Sequence, residues 1–208
     1  EGFAQFWGAF YEVGVYGEHH FQNTMSGMVN NATTWCNSPI HWMPLNNMPL
    51  NMTYDSDAVY NRGAVIVSTM MNYMGREVFL PAMRQYFQQY AYQTANSQLL
   101  CDALTQYSGT DMQGFFDSYV YSSGMPHLYA SIKDVNEVDN RFEVKLDLHY
   151  QHIGDDHVGQ DNAYEVTFIG PDFQLCTRRV HWDGQHAEIS GFLDFEPVGL
   201  VNDFYNGW

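Results

Sequence analysis

The chain has 208 residues, 45% hydrophobic and 16% aromatic, which is enough to build a packed core and too apolar for a disordered chain. Its 24 acidic residues outweigh 8 basic ones for a formal net charge of -16, a balance that repels phosphate backbones and anionic lipid, so no nucleic-acid partner is expected. The longest apolar runs, such as Ala64 to Val67, are too short for a membrane span.

From Glu1 to about Gly124 the hydrophobic period is helical. Phe3, Phe6, Trp7 and Phe10 recur at i, i+3, i+4 and i+7, an apolar stripe on a first helix. Glu1, Ala4 and Gly8 share the opposite, small-residue face. His19 and His20 are expected as an exposed pair at a helix start. Residues 20 to 54 show no clear period and contain Pro39, Pro44 and Pro49, so a long ordered loop is expected. A strong helix follows over 58–74, with Asp55, Ser56 and Asp57 available as caps and Gly75 to end it. The next helix is expected to begin at Pro81 and to bury Met83, Tyr86, Phe87 and Tyr90. Asn96 or Ser97 can cap a further helix, and Thr110 or Asp111 another, which Gly124 and Pro126 stop.

Beyond that point the period changes to two. Phe142, Val144, Leu146, Leu148 and Tyr150 alternate with Glu143, Lys145, Asp147 and His149, as on a strand with one buried and one wet face. Three more strands are expected in "NAYEVTFIG", "FQLCTRRVHW" and "AEISGFLDFE". Strands with no helix between them point to an antiparallel β-sandwich. The fold class is therefore α+β, with a helical unit over residues 1–124 and a β-sandwich over 125–208.

Chemistry could reside at several places. Tyr60 shares a helical stripe with Gly63, Ala64 and Val67, so another element can approach its ring. Its phenol, protonated at neutral pH, could donate to a developing oxyanion, or it could be a core tyrosine whose hydroxyl is satisfied. Glu1 could reach a metal, or could be a solvated acid favoured by the helix dipole. His149, His152 and His157 lie near Asp155, Asp156 and Asp161, and a polar hairpin loop is expected there rather than converging metal ligands. Cys36, Cys101 and Cys176 are widely spaced and read as free thiols. No G-x-S-x-G elbow, glycine-rich phosphate loop or H-E-x-x-H occurs.

The stretch from Tyr60 to Ile132 resembles the gluzincin zinc aminopeptidases typified by aminopeptidase N. Their pattern runs Y-x-K-G-A, L-G with a following F, A-L-R-x-Y, Y-A-Y-x-N-A-T, S-G-x-D-L, F-F-x-x-W and G-x-P. Tyr60, Gly63, Ala64, Gly75, Phe79, Ala82, Arg84, Tyr86, Ala91, Tyr92, Ser108, Gly109, Asp111, Phe115, Phe116, Gly124 and Pro126 match it in order. The opening "EGFA" is similar to the family's N-E-G-F-A segment. Arg62 stands where that family has Lys, and Tyr119 where it has Trp.

The resemblance implies the C-terminal helical part of a thermolysin-like catalytic domain joined to a β-sandwich. It also implies Glu1 as the third zinc ligand and Tyr60 as the oxyanion donor of an enzyme that hydrolyses N-terminal residues from peptides with metal-activated water. The two histidines and the base of H-E-x-x-H, with the loop that binds the free amino terminus, would then lie upstream of Glu1. The rest of the catalytic domain would be a partner of this piece, which would be inactive alone. A catalytically dead, metal-free scaffold is the alternative, and an epoxide hydrolase within the same family is a third.

Overall fold

The computed structural model describes residues 1–52, 55–154, 159 and 161–202. The first half is helical. Helix α1 (Gly2–Tyr11) buries Gly2, Phe6 and Ala9, and a short α2 (Val13–Tyr16) leads through Gly17 into α3 (Glu18–Cys36). Helix α3 occupies much of the segment expected to be a loop. Its Asn, Thr and Gly residues have poor helix propensity, yet Phe21, Met25, Ala32 and Trp35 fall on one buried stripe. Burial of that stripe outweighs the propensity deficit. His19 and His20 are exposed in its first turn, as expected.

Three tight turns follow, Pro39–His41, Leu45–Asn47 and Leu50–Met52. Two side chains tie this run back to the end of α3. The Trp42 indole donates to the Cys36 carbonyl at 2.9 Å, and His41 Nδ1 bonds the Trp35 carbonyl at 2.8 Å while its ring stacks on Trp35. These are carbonyls that the end of a helix leaves without partners.

Asp55 then caps the next helical run, accepting from the amides of Asp57 and Ala58. The run begins as a π-helical turn (Ser56–Asn61), continues as α4 (Arg62–Met74) and ends at Gly75, whose φ of 87° suits glycine. Helix α5 (Arg76–Gln89) starts at once rather than at Pro81, which lies inside it. Being near the N-terminus, the proline forfeits only one helical hydrogen bond. Phe79, Ala82 and Met83 are the buried positions, whereas Phe87, expected in the core, is exposed. Asn96 caps α6 (Ser97–Ser108) through the Leu99 amide, and Asp111 accepts from the Gln113 amide at the start of α7 (Gln113–Phe116). A second π turn (Asp117–Tyr121) closes the helical half. Tyr119 is buried and stacks on Phe115 at 4.6 Å.

The second half is two three-stranded antiparallel sheets. One has the order β1 (Gly124–Val138), β2 (Arg141–Gly154), β5 (His186–Leu193). The other has the order β4 (Leu175–Trp182), β3 (Asn162–Ile169), β6 (Gly199–Asn202). Val144, Leu146, Leu148 and Tyr150 of β2 are buried as their alternation predicts, and meet Val166, Phe168 and Val180 of the other sheet in one core. Asn202 joins the sheets by accepting from the Ala130 amide at 2.8 Å. Sequence reasoning did not place β1 as a strand, because only its first half alternates and the rest is polar and largely exposed. Cys36 and Cys101 are buried and Cys176 partly so, all free thiols.

Tyr73 of α4 is one link between the helices and the strands' turns. Its ring is 5% exposed, and its hydroxyl donates to Asp161 Oδ2 at 2.5 Å. Burial raises the Tyr73 pKa above its ordinary value, and the bond to Asp161 raises it further. A raised pKa means that this stabilisation is complete below the unfolded value near ~10 and is lost as pH climbs beyond it. Tyr73→Phe should therefore cost about 1–2 kcal/mol in urea unfolding at pH 8. The gap to wild type should narrow when the measurement is repeated above about pH 10.

Candidate active site

The close approach that organises this region is between backbones. A Cβ added to Gly2 would lie 2.5 Å from the Gly63 carbonyl carbon, and one added to Gly63 would lie 2.9 Å from the Gly2 Cα. Helix α1 thus docks its N-terminal end directly onto the first turn of α4 with no side chain between them. The small residues that matter are Gly2 and Gly63. Ala4 and Gly8, which share the expected face with Glu1, are exposed, and nothing stands within 4 Å of a Cβ at Gly8.

Glu1 sits at the N-cap of α1 without capping it, and no hydrogen bond or ion pair engages its carboxylate among the described residues. It lines a cleft of about 220 Å³ with Phe3, Leu45, Asn46, Val59, Gly63, Ser97 and Phe116. Among the described residues that line this cleft, Glu1 alone is ionisable.

Tyr60 lies in the π turn directly before α4, between Val59, which lines the cleft, and Gly63, on which α1 rests. Extra residues in π turns change the direction of the side chains that follow and recur at functional sites. Tyr60 is half-buried, and its hydroxyl has no hydrogen-bond partner among the described residues. The structure thus joins the elements that carry Glu1 and Tyr60, with no hydrogen bond between the two side chains.

Arg62, two residues after Tyr60, is held in the interior. It is 1% exposed and donates from Nη1 to the Met43 carbonyl at 2.8 Å and from Nη2 to the Gly124 carbonyl at 2.6 Å. Burial lowers its pKa from the ordinary arginine value, and the nearby Cys36 thiol is raised by the same cause.

The model of the peptidase family M1 domain matches residues 1–119. The chain belongs to peptidase family M1. The M1 match contains Glu1, Gly2, Tyr60, Arg62 and Gly63. Aminopeptidase N of Lactococcus lactis subsp. lactis is 28% identical over 85 residues, 41% of this chain and 10% of that protein. Aminopeptidase M1 of Arabidopsis thaliana is 33% identical over 79 residues, 38% of this chain and 9% of that protein. The matched stretch is thus about a tenth of the length of these curated relatives. The crystal structure of Legionella pneumophila aminopeptidase A in complex with aspartic acid superposes on 100% of this chain and 23% of its own, with a TM-score of 0.70 and 14% identity. That likeness is one of fold, and it covers helices and sheets alike.

Outside the M1 match, His149 and His152 of the expected polar hairpin both stand on β2. His152 bonds the Tyr150 hydroxyl and the Ser123 carbonyl at 2.8 and 2.7 Å. Asp155, Asp156 and His157 lie outside the described residues. His149 stands on β2 with Asp147, opposite His186 of β5, and one ligand atom from each lies within 4.8 Å of the others. His186 is remote in sequence, and only the strand register brings it there.

If the Gly2–Gly63 contact sets the position of Glu1, a methyl group on either side must push the helices apart. Gly2→Ala and Gly63→Ala should each destabilise the protein by about 1–3 kcal/mol in urea unfolding. The double variant should cost less than their sum, since one displacement relieves both clashes.

Proposed function

We propose that this chain is part of a zinc aminopeptidase in which Glu1 is one zinc ligand and Tyr60 stabilises the oxyanion of peptide hydrolysis. The observation that carries the reading is the contact of Gly2 with Gly63, which keeps Glu1 beside the turn bearing Tyr60. The donor chemistry agrees with it. Glu1 offers a carboxylate spent on no cap or ion pair among the described residues, and it lines a cleft whose other described lining residues carry no charge. Tyr60 offers a hydroxyl not committed to a core partner. A zinc ion held in part by Glu1 would supply Lewis acidity to the scissile carbonyl and activate water.

The residues of this chain would act as follows. Glu1 contributes negative charge to the metal set. Tyr60, a neutral phenol at physiological pH, donates a hydrogen bond to the oxygen on which charge develops. Leu45 and Asn46, on the segment that Arg62 anchors through Met43, shape one wall of the cleft. Peptides with a free amino terminus are the proposed substrates. The likeness to aminopeptidases supports that class and leaves the preferred residue open. The other zinc ligands and the base lie outside these 208 residues, with the rest of the catalytic domain as their source. One carboxylate does not hold catalytic zinc, so the 208-residue piece alone is proposed to be inactive. Within it, residues 1–124 belong to the catalytic domain and 125–208 to the sandwich.

Two substitutions in the full-length enzyme test the assignment. Tyr60→Phe should lower kcat by about 10²-fold, the scale for loss of an oxyanion donor, with an unchanged circular dichroism spectrum. Unaltered turnover would remove Tyr60 from the mechanism. Glu1→Gln should reduce zinc retained after dialysis, measured by atomic emission. Full retention would exclude Glu1 as a ligand, and absence of zinc from wild type would favour a metal-free scaffold.

A further inference from the structure

A second set of ligand-type side chains lies on the solvent-facing side of the sheet formed by β1, β2 and β5. The period of two puts Asp147 and His149 on the same face of β2, and the register sets His186 of β5 opposite His149. His149 Nε2 lies 2.9 Å from Asp147 Oδ2, and His186 Nε2 hydrogen-bonds the other oxygen, Oδ1. The two imidazole rings are 4.9 Å apart between centroids. Three donor atoms from two adjacent strands therefore already converge.

The surroundings favour this arrangement. Tyr129, the partner of His149 on β1, lies flat on its ring, with centroids 4.6 Å apart and 6° between the planes. Such an outer contact fixes the plane of a ligating ring. Glu188, opposite Asp147, would otherwise compete for the histidines. It is engaged by both Lys133 and Lys145. Asp147 is left facing the two imidazoles.

We propose that Asp147, His149 and His186 form a binding site for a divalent transition metal of the zinc class, which clamps the edge strand β5 to β2. Two imidazoles and one carboxylate are the donors that suit Zn²⁺, Co²⁺ and Ni²⁺, whereas Mg²⁺ and Ca²⁺ take oxygen ligands. The metal replaces the protons that the rings now share with Asp147, and water completes the coordination on the exposed side. None of these residues lines the Glu1 cleft, so the site stands or falls independently of the peptidase reading.

The test uses the full-length protein, exchanged into chelator-treated buffer and then titrated with Zn²⁺ or, separately, with Mg²⁺. Zn²⁺ should slow amide hydrogen exchange in the peptide spanning residues 186–193, and Mg²⁺ should not. His186→Ala and Asp147→Asn should each abolish that protection and lower bound zinc by about one equivalent per chain relative to wild type. Aminopeptidase turnover in both variants should be unchanged. The site is overturned if zinc leaves exchange of β5 unaltered in wild type, a result that needs no variant to fold. It is equally overturned if folded variants retain the wild-type zinc content and protection.

Discussion

A single buried cation ties the structure together. Arg62 sits at the start of α4, and its guanidinium joins the carbonyl of Met43, in the run after α3, to that of Gly124, the first residue of β1. A charge this deep loses its hydration, and hydrogen bonds to carbonyl dipoles are what offset the loss. The planar fork of arginine can span two acceptors held apart, which a lysine ammonium does less well. Helices, cleft wall and sheet therefore meet at one side chain. The lysine-to-arginine difference from the family pattern lies at this junction, where the geometry of the donor matters more than its charge.

The parts of the fold that were legible in the sequence are those whose signals are local. Asp55 and Gly75 bracket the run that contains α4, and Asn96 starts α6, because a cap and the backbone it satisfies are a few residues apart. The alternation in β2 was clear because one face meets a core and the other meets water. Helix α3 was hidden because its polar residues dilute the pattern, and its stripe has meaning only once a surface exists to cover it. Pro81 misled in another way, since a proline that can open a helix can also be accommodated in its early turns.

The candidate site was legible only through resemblance, and then only as residue types. Spacing put Glu1 on a face with Ala4 and Gly8, yet the glycine that brings α1 against α4 is Gly2, and its counterpart Gly63 is far along the chain. No local pattern announces which two glycines will touch. The same holds for His149 and His186, where a nearby cluster in the sequence, His149 to His157, drew attention away from the pairing that the register creates. Such contacts arise from topology, which assembles residues whose local sequence carries no sign of one another.

The scarcity of cations has an effect beyond the fold. Arg62 is interior, and Arg76, Lys133, Lys145, Arg141 and Arg179 are each engaged by a carboxylate. Among the described residues Arg84 and Arg178, like the buried Arg62, have no carboxylate partner, so most of the 24 acids in the chain act outward without compensation. The resulting field concentrates small cations and protonated amines near the protein and thins out anions over roughly 8 Å at physiological ionic strength. Encounter rates with positively charged solutes should thus depend on salt before any specific contact forms, an influence set by the whole surface rather than by any one pocket.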